Sequence, residues 1–218
     1  VRTGRLEAFS DGVIAILITI MVLELPKPGG AEWSDIRGDL PVLLAYLLSF
    51  VYLGIYWNNH HHMLQAVRRV TGGALWANLH LLFWLSLVPF VTDWITEVID
   101  RNGELRPAEQ EPLTVPLVAY GLVLLAAGIA YFILQTTLIR AEGESSALAA
   151  AIGRDVKGKL SAPLYLVGVL LSLVNPALGI GVYVLVALIW LVPDRRVERQ
   201  LAHDAATAPG TSSADEQR

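Results

Sequence analysis

The sequence predicts an all-α membrane protein with six transmembrane helices, and three observations predict it. Of 218 residues, 54% are hydrophobic and 17% charged, where an average soluble domain carries about 25% charged residues. The apolar residues fall in six long blocks, and only a membrane protein tolerates that arrangement. The blocks are roughly Ala8–Leu25, Leu40–Trp57, Leu75–Val91, Leu113–Leu134, Leu160–Val174 and Pro176–Val192. Finally, Lys and Arg collect on alternate connections. With the N-terminus in the cytoplasm, twelve of the sixteen fall inside and only Lys27, Arg37, Arg101 and Arg106 fall outside. The positive-inside rule requires that sign, and an odd number of helices would break it. Both termini are therefore expected in the cytoplasm.

The first block is the most informative. A polar heptad, R-L-E-A-F-S-D from Arg5 to Asp11, runs straight into an apolar span ending near Leu23. No small-x-small cleavage site follows, so the block is expected to be a retained span. At 100° per residue, with Ile16 at zero, Ile20 falls at about +40°, Leu23 at about −20° and Thr19 at about −60°. These four share one face. Asp11 lies at about 220°, almost opposite. An acid at the centre of a span costs about 2.5–3.5 kcal/mol, and less toward the ends, so Asp11 needs hydrogen-bond partners. Arg5 is about 9 Å away along the axis and on another face. Asn58, Asn59, His60, His61, His62, Asn78 and His80 stand at the same depth on the second and third spans. Ser10 and Asp11 also suit an N-terminal helix cap, so a cap and an interhelical network both remain open.

Three consecutive histidines, His60 to His62, invite a metal reading. Metal pairs on a helix need i, i+3 or i+4 spacing, and three neighbours point in three directions. Asn58 with His62 has the spacing, but Asn is a poor zinc ligand. No metal site is expected. In the third block Pro89 should kink the helix, with Ser86 and neighbouring helices satisfying the freed carbonyl. Trp84, Trp94 and Trp190 fit an aromatic interface belt. In the fourth block Gly121, Ala127 and Gly128 are small residues that allow close helix packing. The last two blocks total too many residues for one crossing. Asn175-Pro176 divides them, because Pro lacks an N–H and restricts its predecessor, so a tight hairpin is expected. Residues 1–202 thus form a transmembrane domain. Residues 203–218, rich in Ala, Thr, Ser, Gly and acids, read as a disordered cytoplasmic tail.

Cysteine is absent, which excludes disulfides, thiolate metal sites and a cysteine nucleophile. No H-E-x-x-H, G-x-S-x-G or phosphate-binding glycine loop is present, so no enzyme and no cofactor are expected. No span carries the paired mid-depth acids of a proton-coupled pump or the broken helices of a carrier. A re-entrant T-V-G-Y-G filter loop is also missing. An apolar stripe such as Ile16, Thr19, Ile20 and Leu23 is ordinarily a packing seam. If ions cross this protein, they cross between helices.

Arg5-x-x-x-Phe9-Ser10-Asp11 resembles the signature of the endosomal and lysosomal potassium channel family, transmembrane protein 175. Y-W-N-N-H-H at Tyr56–His61 and N-L-H-L-L-F-W-L-S-L-V-P-F-V-T at Asn78–Thr92 are similar to that family as well. The resemblance covers Arg5 to about Thr92; beyond Leu113 it rests on hydrophobicity and helix count. It implies a homotetramer in the cell membrane, with first helices lining a central potassium pore and lipid around it. It places Ile16 at the constriction, Ile20 and Leu23 in the next layers, and Thr19 in the layer linked to potassium preference. Arg5, Phe9, Ser10 and Asp11, with His60, His61 and Asn78, would form a structural polar network. Potassium is then the permeant species, not a cofactor, and no nucleic-acid partner is expected. A secondary transporter or proton-conducting protein is the alternative.

Overall fold

The computed structural model describes residues 3–104, 106, 109–143 and 156–191. Within them the chain is all helical: α1 Thr3–Leu23, α2 Trp33–Gly38, α3 Leu40–Gln65, α4 Gly72–Ser86, α5 Val88–Glu104, α6 Thr114–Glu142, α7 Val156–Val174 and α8 Pro176–Leu191. Five stretches are long and apolar enough to cross a membrane, α4 and α5 counting as one over Gly72–Gly103, and α8 is a shorter apolar helix. Residues 192–218, including the expected tail, lie outside the described residues.

The six blocks are present, but their ends differ from the apolar pattern. Helix α1 starts at Thr3, so Ser10 and Asp11 sit two turns inside it and do not cap it. Helix α3 continues past Trp57 through the histidines to Gln65. The third block is two helices parted at Leu87. Pro89 lacks the N–H that would bond Leu85, and the Ser86 hydroxyl turns back to donate to Phe83 O at 2.7 Å. The α7–α8 hairpin turns at Asn175, whose side chain accepts from Ala177 N at 2.9 Å, with Pro176 at the first helical position.

Helix α6 is the centre of the bundle. It packs against α4, α5, α7 and α8, and residues from Leu117 to Leu138 supply much of the core. Tyr183 of α8 wedges between α6 and α7. Its hydroxyl donates to Leu117 O at 3.1 Å, and its own carbonyl accepts from the Tyr52 hydroxyl at 2.6 Å. A Cβ on Gly121 would stand 2.0 Å from the Tyr183 hydroxyl, and one on Gly168 would stand 2.5 Å from its ring. Both positions therefore require glycine.

Helix α1 lies at the edge, between α3 on one side and α4 and α5 on the other. Its start is tied to the α3–α4 connection by the Thr3 hydroxyl, which donates to Val67 O. The same connection is held from α6, where Glu142 accepts from the backbone N–H groups of Arg68 and Arg69 at 2.9 and 2.6 Å. One end of the bundle thus gathers the start of α1, the end of α3 and the end of α6.

Candidate functional site

Helix α1 has a covered face and an uncovered one. Leu6, Ser10, Ile14, Leu17 and Met21 are buried, at spacings of three or four that mark one side of a helix. Ile16 (57% exposed), Ile20 and Leu23 (78%) stand on the other side, as does Thr19. Gly12, Ala8 and Ala15 are exposed beside them. The four residues that the wheel groups are therefore together, and none of the described residues covers them. The Thr19 hydroxyl donates within its own helix, to Ile16 O at 2.9 Å or Ala15 O at 3.1 Å. Its proton is occupied, and its oxygen retains lone pairs that an incoming cation can use.

The covered face is anchored by a buried polar chain. The Ser10 hydroxyl donates to Leu6 O at 2.9 Å, so it accepts from Asn78 Nδ2, also at 2.9 Å. That leaves the Asn78 oxygen to accept from His60 Nε2 at 2.7 Å. Ser10, Asn78 and His60 are fully buried. Each comes from a different helix, α1, α4 and α3, so the chain fixes the rotation of α1 against both neighbours. Buried polar groups that find partners in this way avoid a penalty of about 1–3 kcal/mol each.

Asp11 accepts from Trp57 Nε1 at 3.1 Å. None of the seven partners expected for it from sequence is the one it contacts through this bond. Trp57 reads as a span-end aromatic in the sequence, and only the α1–α3 packing reveals its indole N–H as a donor. His61 stacks on Trp57, and its Nδ1 lies 2.9 Å from Glu7 Oε1. Glu7 likewise lies outside the expected network, although its i, i+4 spacing from Asp11 places both on one face. Arg5 and Phe9 stand apart from these bonds. With Leu6, Leu75 and Leu79 they line a groove of about 390 Å³ between α1 and α4, and Phe9 is half exposed. His80 accepts from Trp84 Nε1 on the outer side of α4.

Comparison with known proteins places this arrangement. Residues 5–89 match the family model described as endosomal/lysosomal potassium channel TMEM175. A potassium channel from Chryseobacterium sp. (strain P1-3) is 52% identical over 198 residues, covering 91% of this chain and 97% of the relative. The chain belongs to the TMEM175 family. The structure of a TMEM175 homologue from Chamaesiphon minutus, titled a lysosomal potassium-selective channel, superposes with a TM-score of 0.71 at 29% identity. The match covers 87% of this chain and 96% of that one. The TMEM175 of Bos taurus, named an endosomal/lysosomal proton channel, is 27% identical over 161 residues, which are 68% of this chain and 32% of that protein. These TMEM175 relatives are named as channels and not as enzymes.

Proposed function

We propose that the chain is the subunit of a potassium-conducting channel in a prokaryotic cell membrane, with four copies placing their α1 helices around one axis. The observation that carries this reading is the 52% identity, along nearly the whole of both chains, to a protein named as a potassium channel. The uncovered face of α1 supports it, since a pore lining must be left free by its own subunit. Ile16 forms an apolar ring that blocks ions when narrow and dry and passes them when widened or wetted. The Thr19 oxygens then receive a partly dehydrated cation. Potassium holds its water less tightly than sodium, so it crosses more readily. The Ser10–Asn78–His60 chain and the Asp11–Trp57 bond act on folding and on the orientation of α1, away from the ion.

Proton permeation is the second reading, favoured by the name of the bovine relative. Recordings from purified protein in planar bilayers separate the readings. Under potassium–sodium asymmetry, discrete current steps that reverse toward the potassium equilibrium potential are expected. Reversal that follows an imposed pH gradient instead selects the proton reading. Silent bilayers, or saturating flux coupled to a second ion, remove the channel assignment.

A further inference from the structure

The end of α1 that carries Glu7 and Asp11 meets the end of α3 that carries Trp57 and His61. Each pair is spaced i, i+4, so each presents both side chains on one face. One carboxylate oxygen from Glu7, one from Asp11 and one ring nitrogen of His61 all lie within 4.8 Å of one another. The three residues are half-buried. They are thus held by the fold and still reachable from the aqueous end of the bundle.

The groups around the three hold them in place. His61 Nε2 lies 2.8 Å from the Gln65 amide, one turn further along α3. The Trp57 ring stacks on His61 at 5.8 Å and 19°, and its N–H holds Asp11 Oδ1. A histidine whose second nitrogen is engaged, beside a carboxylate that is itself hydrogen-bonded, is the support that metal ligands ordinarily have. Arg5, the basic residue nearest in sequence, faces the groove with Phe9, Leu75 and Leu79, and among the described residues it makes no ion pair with either acid.

We propose that Glu7, Asp11 and His61 form a binding site for a first-row divalent metal ion of the zinc type, clamping α1 to α3. Two carboxylates supply the charge that balances a divalent ion. The imidazole favours zinc, nickel or cobalt over magnesium, calcium or potassium, which prefer all-oxygen sites. Four-coordinate zinc keeps its donors about 3.3 Å apart, so the side chains close by about 1.5 Å at most, with water in the fourth position. Binding needs the His61 Nδ1 lone pair, so the ring proton moves to Nε2. Gln65 accommodates both tautomers, because rotating its amide exchanges an N–H donor for a carbonyl acceptor. The His triplet alone gives no such site. The missing ligands come from the polar leader of α1, which meets the triplet only once the helices pack.

The claim concerns binding and stands apart from the conduction reading. The test uses full-length protein purified in detergent and stripped with a chelator, with Co²⁺ as a visible probe and Zn²⁺ as its competitor. A cobalt band saturating at one ion per chain, displaced by Zn²⁺ and indifferent to excess Mg²⁺, is expected. E7Q and H61A should each weaken binding about tenfold or more, as loss of a ligand or its support does, while H62A retains it. E7Q is isosteric and decides the matter where H61A fails to fold. No band in the wild type, or unaltered affinity in E7Q, overturns the proposal.

Discussion

Ile16 and Thr19 are one turn apart on the uncovered side of α1, yet substitutions there should be felt in different observables. In the proposed pore, Ile16→Asn would replace an apolar ring with amides that hydrate, which removes the dry barrier. A shift of about 1.4 kcal/mol in the closed–open balance is enough for a tenfold rise in resting leak. That leak should appear in bilayer currents at unchanged particle size; unaltered currents would take Ile16 out of the constriction. Thr19→Val keeps the volume and removes the oxygen. Among the described residues its hydroxyl bonds only to backbone within α1, so folding should be spared. The potassium-to-sodium permeability ratio should fall several-fold, read as a reversal potential moving toward zero in mixed-ion recordings. That the two share one face was legible because a wheel needs only helical geometry. Trp57 and Glu7 were not, because a hydrogen bond between two helices depends on how they face each other, and the sequence does not state that rotation. The buried Ser10–Asn78–His60 chain was partly legible, since Asn78 and His60 could be placed at the depth of Asp11 though not assigned to Ser10.

Among the helices, α6, α7 and α8 meet closely around Tyr183. Gly121 and Gly168 leave the space its ring occupies, and the ring's hydroxyl reaches Leu117 O. Gly121→Ala should therefore lower stability by about 1–3 kcal/mol through overpacking, despite the better helix propensity of alanine. The control is Gly54→Ala in α3, where a Cβ meets nothing within 4 Å and propensity alone predicts a gain of up to about 1 kcal/mol. Thermal unfolding of the two variants in detergent should give shifts of opposite sign; equal shifts would mean that Tyr183 has room to move. From sequence, Gly121 read as one of several small residues, and its particular neighbour lies on a helix some sixty residues further on. Helix existence was legible because lipid leaves long apolar blocks no alternative to a helix. Helix ends were not. The polar stretches Thr3–Glu7, Asn58–Gln65 and Asp93–Glu104 continue the helices past the apolar blocks, where apolarity carries no signal. The short α2 belongs to no block at all.

For the whole molecule, the decisive feature is where α1 sits. A helix that carries a threonine and three large apolar residues on an uncovered face, at the edge of a bundle centred on α6, is placed for contact with something outside its own chain. Lipid alone would not need the small residues Ala8, Gly12 and Ala15 beside that face, whereas close approach of identical helices does. The bovine relative is about twice as long as this chain, judging from the shares matched, which leaves room for two such units in one polypeptide. A single unit then needs twice as many copies to surround the same axis, and closed rotational symmetry supplies them. Native mass measurement of the detergent-solubilised particle should give about 95 kDa of protein, four times the 23.7 kDa chain. A particle of one chain, under conditions that preserve activity, would leave Ile16 and Leu23 facing lipid and the conduction path without walls.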